Sequence, residues 1–103
     1  DAKVVGFVSY GDFRDSATIA GEIFALYVLK DYYGKGVGQQ LMQAAFAALD
    51  GYQEIILWVL EDNKRAIAFY EKMGFVFDGK EKILDLGKAV KEKRMIFMRN
   101  SNS

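Results

Sequence analysis

The hydrophobic pattern divides the chain into short runs of two kinds. Val4 to Tyr10 is brief and rich in β-branched and aromatic residues, which predicts a strand, and Gly11-Asp12 reads as the turn that ends it. Arg14 to Ile19 predicts a second strand. Beyond Gly21, the residues Ile23, Ala25, Tyr27 and Leu29 alternate with Phe24, Leu26 and Val28, so Glu22 to Leu29 is apolar on both faces, as a central strand would be. Gly34, Gly36 and Gly38 follow. They lead into a helical stretch to Leu49 with Val37, Leu41, Ala45 and Ala48 on one stripe, stopped by Asp50-Gly51.

Glu54 to Leu60, with Ile55-Ile56-Leu57-Trp58-Val59 at its heart, is the second segment that reads as buried on both faces. Strand, helix and buried strand predict a right-handed βαβ crossover with parallel pairing. Asp62 or Asn63 is placed to cap a further helix, which runs through Tyr70 to Met73 and closes on Gly74. Phe75 to Asp78 and Arg94 to Arg99 predict late strands joined by a charged connection, with Ser101 to Ser103 as a frayed tail. Trp58 and Phe46 read as core and not as ligand cages.

Composition narrows the possibilities. A chain of 103 residues supports one hydrophobic core, so residues 1–103 are expected to form a single domain, and 51% hydrophobic residues suffice for that core without disulfides. The chain opens on Asp1 and runs almost at once into a strand, so the expectation is a protein that begins earlier. Fourteen Lys plus Arg against fourteen Asp plus Glu leave no broad basic field, which argues against a nucleic-acid partner. The absence of Cys excludes a thiolate nucleophile and fits a cytoplasmic location. The absence of His excludes Ser-His and Cys-His catalysis and the usual zinc sites, so no metal is expected. No apolar run, Ile55 to Leu60 included, approaches the roughly 20 residues of a membrane span, and the start carries no basic-then-apolar export signal. Chemistry is left to Tyr, Lys, carboxylates and backbone dipoles.

The glycine cluster is the first place where such chemistry has a scaffold. Glycines at alternate positions before a helix let the backbone turn several free N–H groups in one direction, where the helix dipole adds about half a positive charge. Lys35 adds a side-chain cation, and a phosphate or diphosphate is the natural ligand. A plain glycine-rich turn before a helix has the same composition. A Walker loop is excluded because Gly36, not Ser or Thr, follows Gly34-Lys35, and the single-residue glycine spacing does not match a Rossmann loop.

Tyr33 to Gly38 followed by Gln39-Gln40-Leu41-Met42 resembles the acetyl-CoA diphosphate loop of the GNAT superfamily of N-acetyltransferases. Asn63-Lys64-Arg65-Ala66-Ile67-Ala68-Phe69-Tyr70-Glu71-Lys72-Met73-Gly74-Phe75 resembles that family's second cofactor segment. Two motifs in this order, with one helix and one buried strand between them, are more specific than either alone, and the resemblance runs from about Val4 to Arg99. Tyr33 stands where the family often has Arg or Gln, so backbone contacts are expected to carry the loop. The resemblance implies an α/β (α+β) GNAT-like fold: a mixed, mostly antiparallel twisted sheet with a central parallel βαβ unit and splayed strands, without the family's N-terminal strand and helices.

The resemblance also implies a site. Acetyl-CoA would lie against Leu26, Tyr27, Val28, Tyr33, Gly34, Lys35, Gly36, Val37, Gly38, Gln39, Asn63, Ala66, Phe69 and Tyr70. With neither Cys nor His, direct attack of a neutral amine on the thioester in a ternary complex is the simplest route. Tyr70 is then the expected acid for the leaving thiolate and Glu22 the expected base, through water. Each has a plainer alternative, Tyr70 as a packed aromatic and Glu22 as a solvent-facing strand residue. The acceptor would be a small-molecule or protein amine, and a homodimer across an exposed sheet edge is a further expectation. A noncatalytic acyl-CoA-binding or regulatory module would share both motifs without releasing thiol, and a purely structural domain would bind no coenzyme.

Overall fold

The first hairpin is longer than its hydrophobic runs suggest. In the computed structural model, which describes residues 4–14 and 19–99, β1 (Gly6–Arg14) pairs antiparallel with β2 (Ile19–Val28) along its whole length. Gly11-Asp12, expected as a turn, therefore lies inside a strand. The reason is a bulge: Ser9 faces Ala25 but Tyr10 faces Ile23, leaving Phe24 as the extra residue. The Phe24 ring comes to 3.0 Å from where a Cβ on residue 11 would stand, so glycine at this position makes room rather than a bend. Of the strand expected from Arg14 to Ile19, only the two end residues are described. Arg14 ends β1, Ile19 begins β2, and residues 15–18, like the tail at 101–103, lie outside the described residues.

These strands belong to one of two compact units, Asp1–Gln53, together with α1 (Val37–Ala48), which packs on both. The helix buries Met42 and Ala45, followed by Leu49, whereas Ala48 is exposed. Its inward stripe is thus turned by about one position from the expected one, because Met42 and Leu49 bring more apolar surface than the alanines.

The second unit, Glu54–Ser103, holds β3 (Glu54–Leu60), α2 (Lys64–Lys72), β4 (Val76–Asp85) and β5 (Ala89–Met98). β5 pairs antiparallel with β3 on one side and β4 on the other. The late strands are thus two ten-residue partners in one hairpin, not short strands with a charged connection between them. The charges that hid these strands form cross-strand pairs: Lys82 reaches Glu92 at 3.6 Å, and Lys91 and Lys93 both reach Glu61 and Glu81 at 3.4–4.0 Å.

Ile55, Leu57, Val59, Phe75 and Met95 form the buried centre of this unit. α2 docks through an aromatic chain, Tyr70 to Phe75 at 6.0 Å and Phe75 to Phe97 at 5.8 Å. Gly74 ends the helix at φ +104°, with the Phe97 ring 3.1 Å from where a Cβ would stand, so both backbone and packing call for glycine. A register slip between Phe77 and Glu81 turns Asp78 onto Arg94, whose Nε donates to it at 2.6 Å.

Candidate active site

A single 3-10 turn, Lys30–Tyr32, leads from β2 to the glycine loop. Gly34 and Gly36 take φ of +76° and +81°, and Gly36 is the N-cap of α1. No side chain caps this helix and no acid stands in its first turn. The first intrahelical bond runs from Gln40 N–H to the Gly36 carbonyl, so the amides of Val37, Gly38 and Gln39 precede the helical ladder. The loop is exposed, Tyr33 by 43%, and a Cβ at Gly34 or Gly36 would meet nothing within 4 Å. Lys35 sits on this loop with its Nζ 5.9 Å from the Tyr32 ring centroid. An open, uncapped set of donors with a positive dipole behind it and a lysine beside it fits a diphosphate.

In the strand that feeds the loop, Leu26, Tyr27 and Val28 pair with Val8, Phe7 and Gly6 of β1. Tyr27 is exposed and lies 5.8 Å from Phe7, ring to ring, while Leu26 and Val28 are half-buried. Glu22 is half-buried opposite Gly11, two residues before the bulged Phe24. It is thus inside β2 rather than at a strand end, because the strand begins at Ile19. The bulge was missed by sequence reasoning; its one signal was the glycine at position 11.

On the second unit, Asn63 is the N-cap of α2, its Oδ1 accepting from the Ala66 N–H at 3.2 Å. Ala66, Ile67, Phe69 and Tyr70 are partly buried, whereas Asn63 is exposed. The Tyr70 ring is held between Phe69 and Phe75 in edge contacts of 5.7 and 6.0 Å. Its hydroxyl has no hydrogen-bond partner among the described residues. Burial raises its pKa above the ordinary 10.0, so Tyr70 is a neutral proton donor through the physiological range. Among the described residues no group of three His, Cys, Asp or Glu is placed to hold a metal. An open cleft of about 550 Å³ beside α2, with Ile67, Ala68 and Phe77 in its lining, contains none of the expected catalytic residues. Trp58, expected in the core, is only partly buried, with the Lys82 Nζ 4.2 Å from its ring centroid.

Residues 1–75 match the model of the acetyltransferase (GNAT) family. The chain is 38% identical over 66 residues to N-alpha-acetyltransferase 30 of Schizosaccharomyces pombe, a match covering 62% of this chain and 44% of that protein. A crystal structure of PH1933 from Pyrococcus horikoshii superposes with a TM-score of 0.80 at 35% identity, over 95% of this chain and 60% of that one. The structure of Arabidopsis thaliana NAA60 in complex with acetyl-CoA superposes with a TM-score of 0.78 at 19% identity, over 94% of this chain and 67% of that one, and so shares the fold. The chain spans about half the length of the curated relatives it matches. No helix among the described residues is long and apolar enough to cross a membrane. The mixed α/β elements, the glycine loop before α1 and the Asn63-to-Phe75 segment thus converge with the family match: the chain belongs to the GNAT family of acetyltransferases.

Proposed function

We propose that this protein is an N-acetyltransferase that moves the acetyl group of acetyl-CoA to a primary amine by direct attack in a ternary complex. One observation carries the reading: the exposed head of α1 has no side-chain cap and is preceded by two left-handed glycines in open space. The diphosphate of the coenzyme lies on the amides after Tyr33, with Lys35 alongside. The pantetheine arm follows the backbone of Leu26 to Val28, Asn63 bonds it while capping α2, and an amide near Val28 polarises the acetyl carbonyl.

Acetyl-CoA supplies an activated thioester. Glu22 takes the amine proton through water as the nitrogen attacks the carbonyl; the C–N bond forms and the C–S bond breaks. Tyr70 then gives its proton to the departing thiolate and regains one from solvent. Burial keeps the phenol neutral, so its proton is in place when the thiolate departs. A small molecule or a protein supplies the amine, and the cytoplasm is the compartment.

Tyr70→Phe tests the assignment. Thiol release should fall about 100-fold or more while the acetyl-CoA dissociation constant moves by less than about twofold. Unchanged turnover would remove Tyr70 as the acid. Acetyl-CoA binding without thiol release for any amine would favour the noncatalytic module instead.

A further inference from the structure

We infer that the sheet face carrying Trp58 is a binding site for an organic ammonium, held shut in the free chain by Lys82. Cross-strand partners project to the same face of a sheet. Trp58 pairs with Arg94, while Leu60 and Lys82 both pair with Glu92, so the five side chains share one face of β3, β5 and β4. Phe97 and Ile55 pair on the opposite face, the one bearing the aromatic chain to Tyr70.

At the centre of this face a primary ammonium already sits in a two-sided clasp. The Lys82 Nζ stands 4.2 Å from the centroid of the indole ring and 3.6 Å from Glu92 Oε1. An aromatic face and a carboxylate on one cation are the groups that recognise alkylammonium ligands. The clasp is built more firmly than its occupant is held: the Glu92 side chain is only 19% exposed, whereas that of Lys82 is 45% exposed. Arg94, the cross-strand partner of Trp58, is neutralised by Asp78 at 2.6 Å, both side chains being at most 16% exposed, so its charge does not bar a second ammonium. Leu60, 40% exposed beside Glu92, offers apolar surface to the alkyl part of such a ligand. A half-exposed ion pair and a single cation–π contact are weak, so an external amine displaces Lys82 without unfolding anything.

That the ammonium is the acceptor of acetyl transfer rests on the function proposed above; the binding site itself does not. Trp58 is the only tryptophan in the chain, so its fluorescence reports this clasp alone. The test titrates the protein with butylammonium chloride at constant ionic strength, with n-butanol as the uncharged control. Saturable change is expected with the ammonium only, at millimolar concentration. Lys82→Ala, or Lys82→Gln should the first variant misfold, should tighten the dissociation constant about fivefold by removing the resident competitor. Adding Glu92→Gln to either variant should weaken it again. A response that fails to saturate, one matched by n-butanol, or one dissociation constant shared by the wild type and the Lys82 variant overturns the inference. Acetyl-CoA plays no part in this titration, so a failure of the proposed transfer reaction would leave its result standing.

Discussion

Tyr70 shows how much one side chain's surroundings decide. Its ring is fixed by Phe69 and Phe75, its hydroxyl meets no partner among the described residues, and burial disfavours the phenolate. A pKa raised in the folded state means that the chain gains stability from the protonated phenol. This gain is full below the unfolded pKa of 10.0 and is lost as pH rises through the folded value. Chemical denaturation should therefore show stability falling more steeply above about pH 10 in the wild type than in Tyr70→Phe. Equal alkaline slopes would mean that burial does not act on this group. The place of Tyr70 on α2 was legible in the sequence because it stands one turn after Ala66 on a helix begun by Asn63. Its environment was not, since the Phe75 ring beside it is itself packed on Phe97, which arrives only when β5 folds back beside β3. Trp58 was misread for a similar reason: apolar neighbours on both sides in sequence suggested core, but Lys82, twenty-four residues on, covers its ring.

Among the elements, α1, β3 and α2 were the most legible, because each combines a strong pattern with clear punctuation: glycines before α1, Asp50-Gly51 after it, Asn63 before α2 and Gly74 after it. The hairpins were less so. In β1 a glycine that makes room for a bulged ring looks like a turn glycine, and in β4 and β5 cross-strand charges imitate a solvated loop. The slip in the second hairpin also creates an ion pair whose loss should be costly. Asp78 holds Arg94 with both side chains at most 16% exposed, so Asp78→Ala leaves a guanidinium that water only partly reaches. Destabilisation of about 2–3 kcal/mol is expected in urea, and Asp78→Ala with Arg94→Met should recover part of it. A loss below about 0.5 kcal/mol would show that the pair behaves as an ordinary surface ion pair.

For the molecule as a whole, the proposed transfer depends on donors at the head of α1 gripping a diphosphate. That segment has the features the role requires, being exposed, free of its own caps and shaped by Gly34 and Gly36. A Cβ at position 36 would clash with nothing, so Gly36→Ala acts through the loop's left-handed conformation alone and should cost about 1 kcal/mol of stability. The larger effect should fall on the ligand. The most direct measurement is the melting temperature of wild type and Gly36→Ala with and without acetyl-CoA. Ligand at about 100 times its dissociation constant should stabilise the wild type by about 2.7 kcal/mol, a rise of roughly 10 °C or more for a chain of this size, and the variant far less. A wild-type melting temperature unmoved by millimolar acetyl-CoA, or a rise equal in both chains, would contradict the claim.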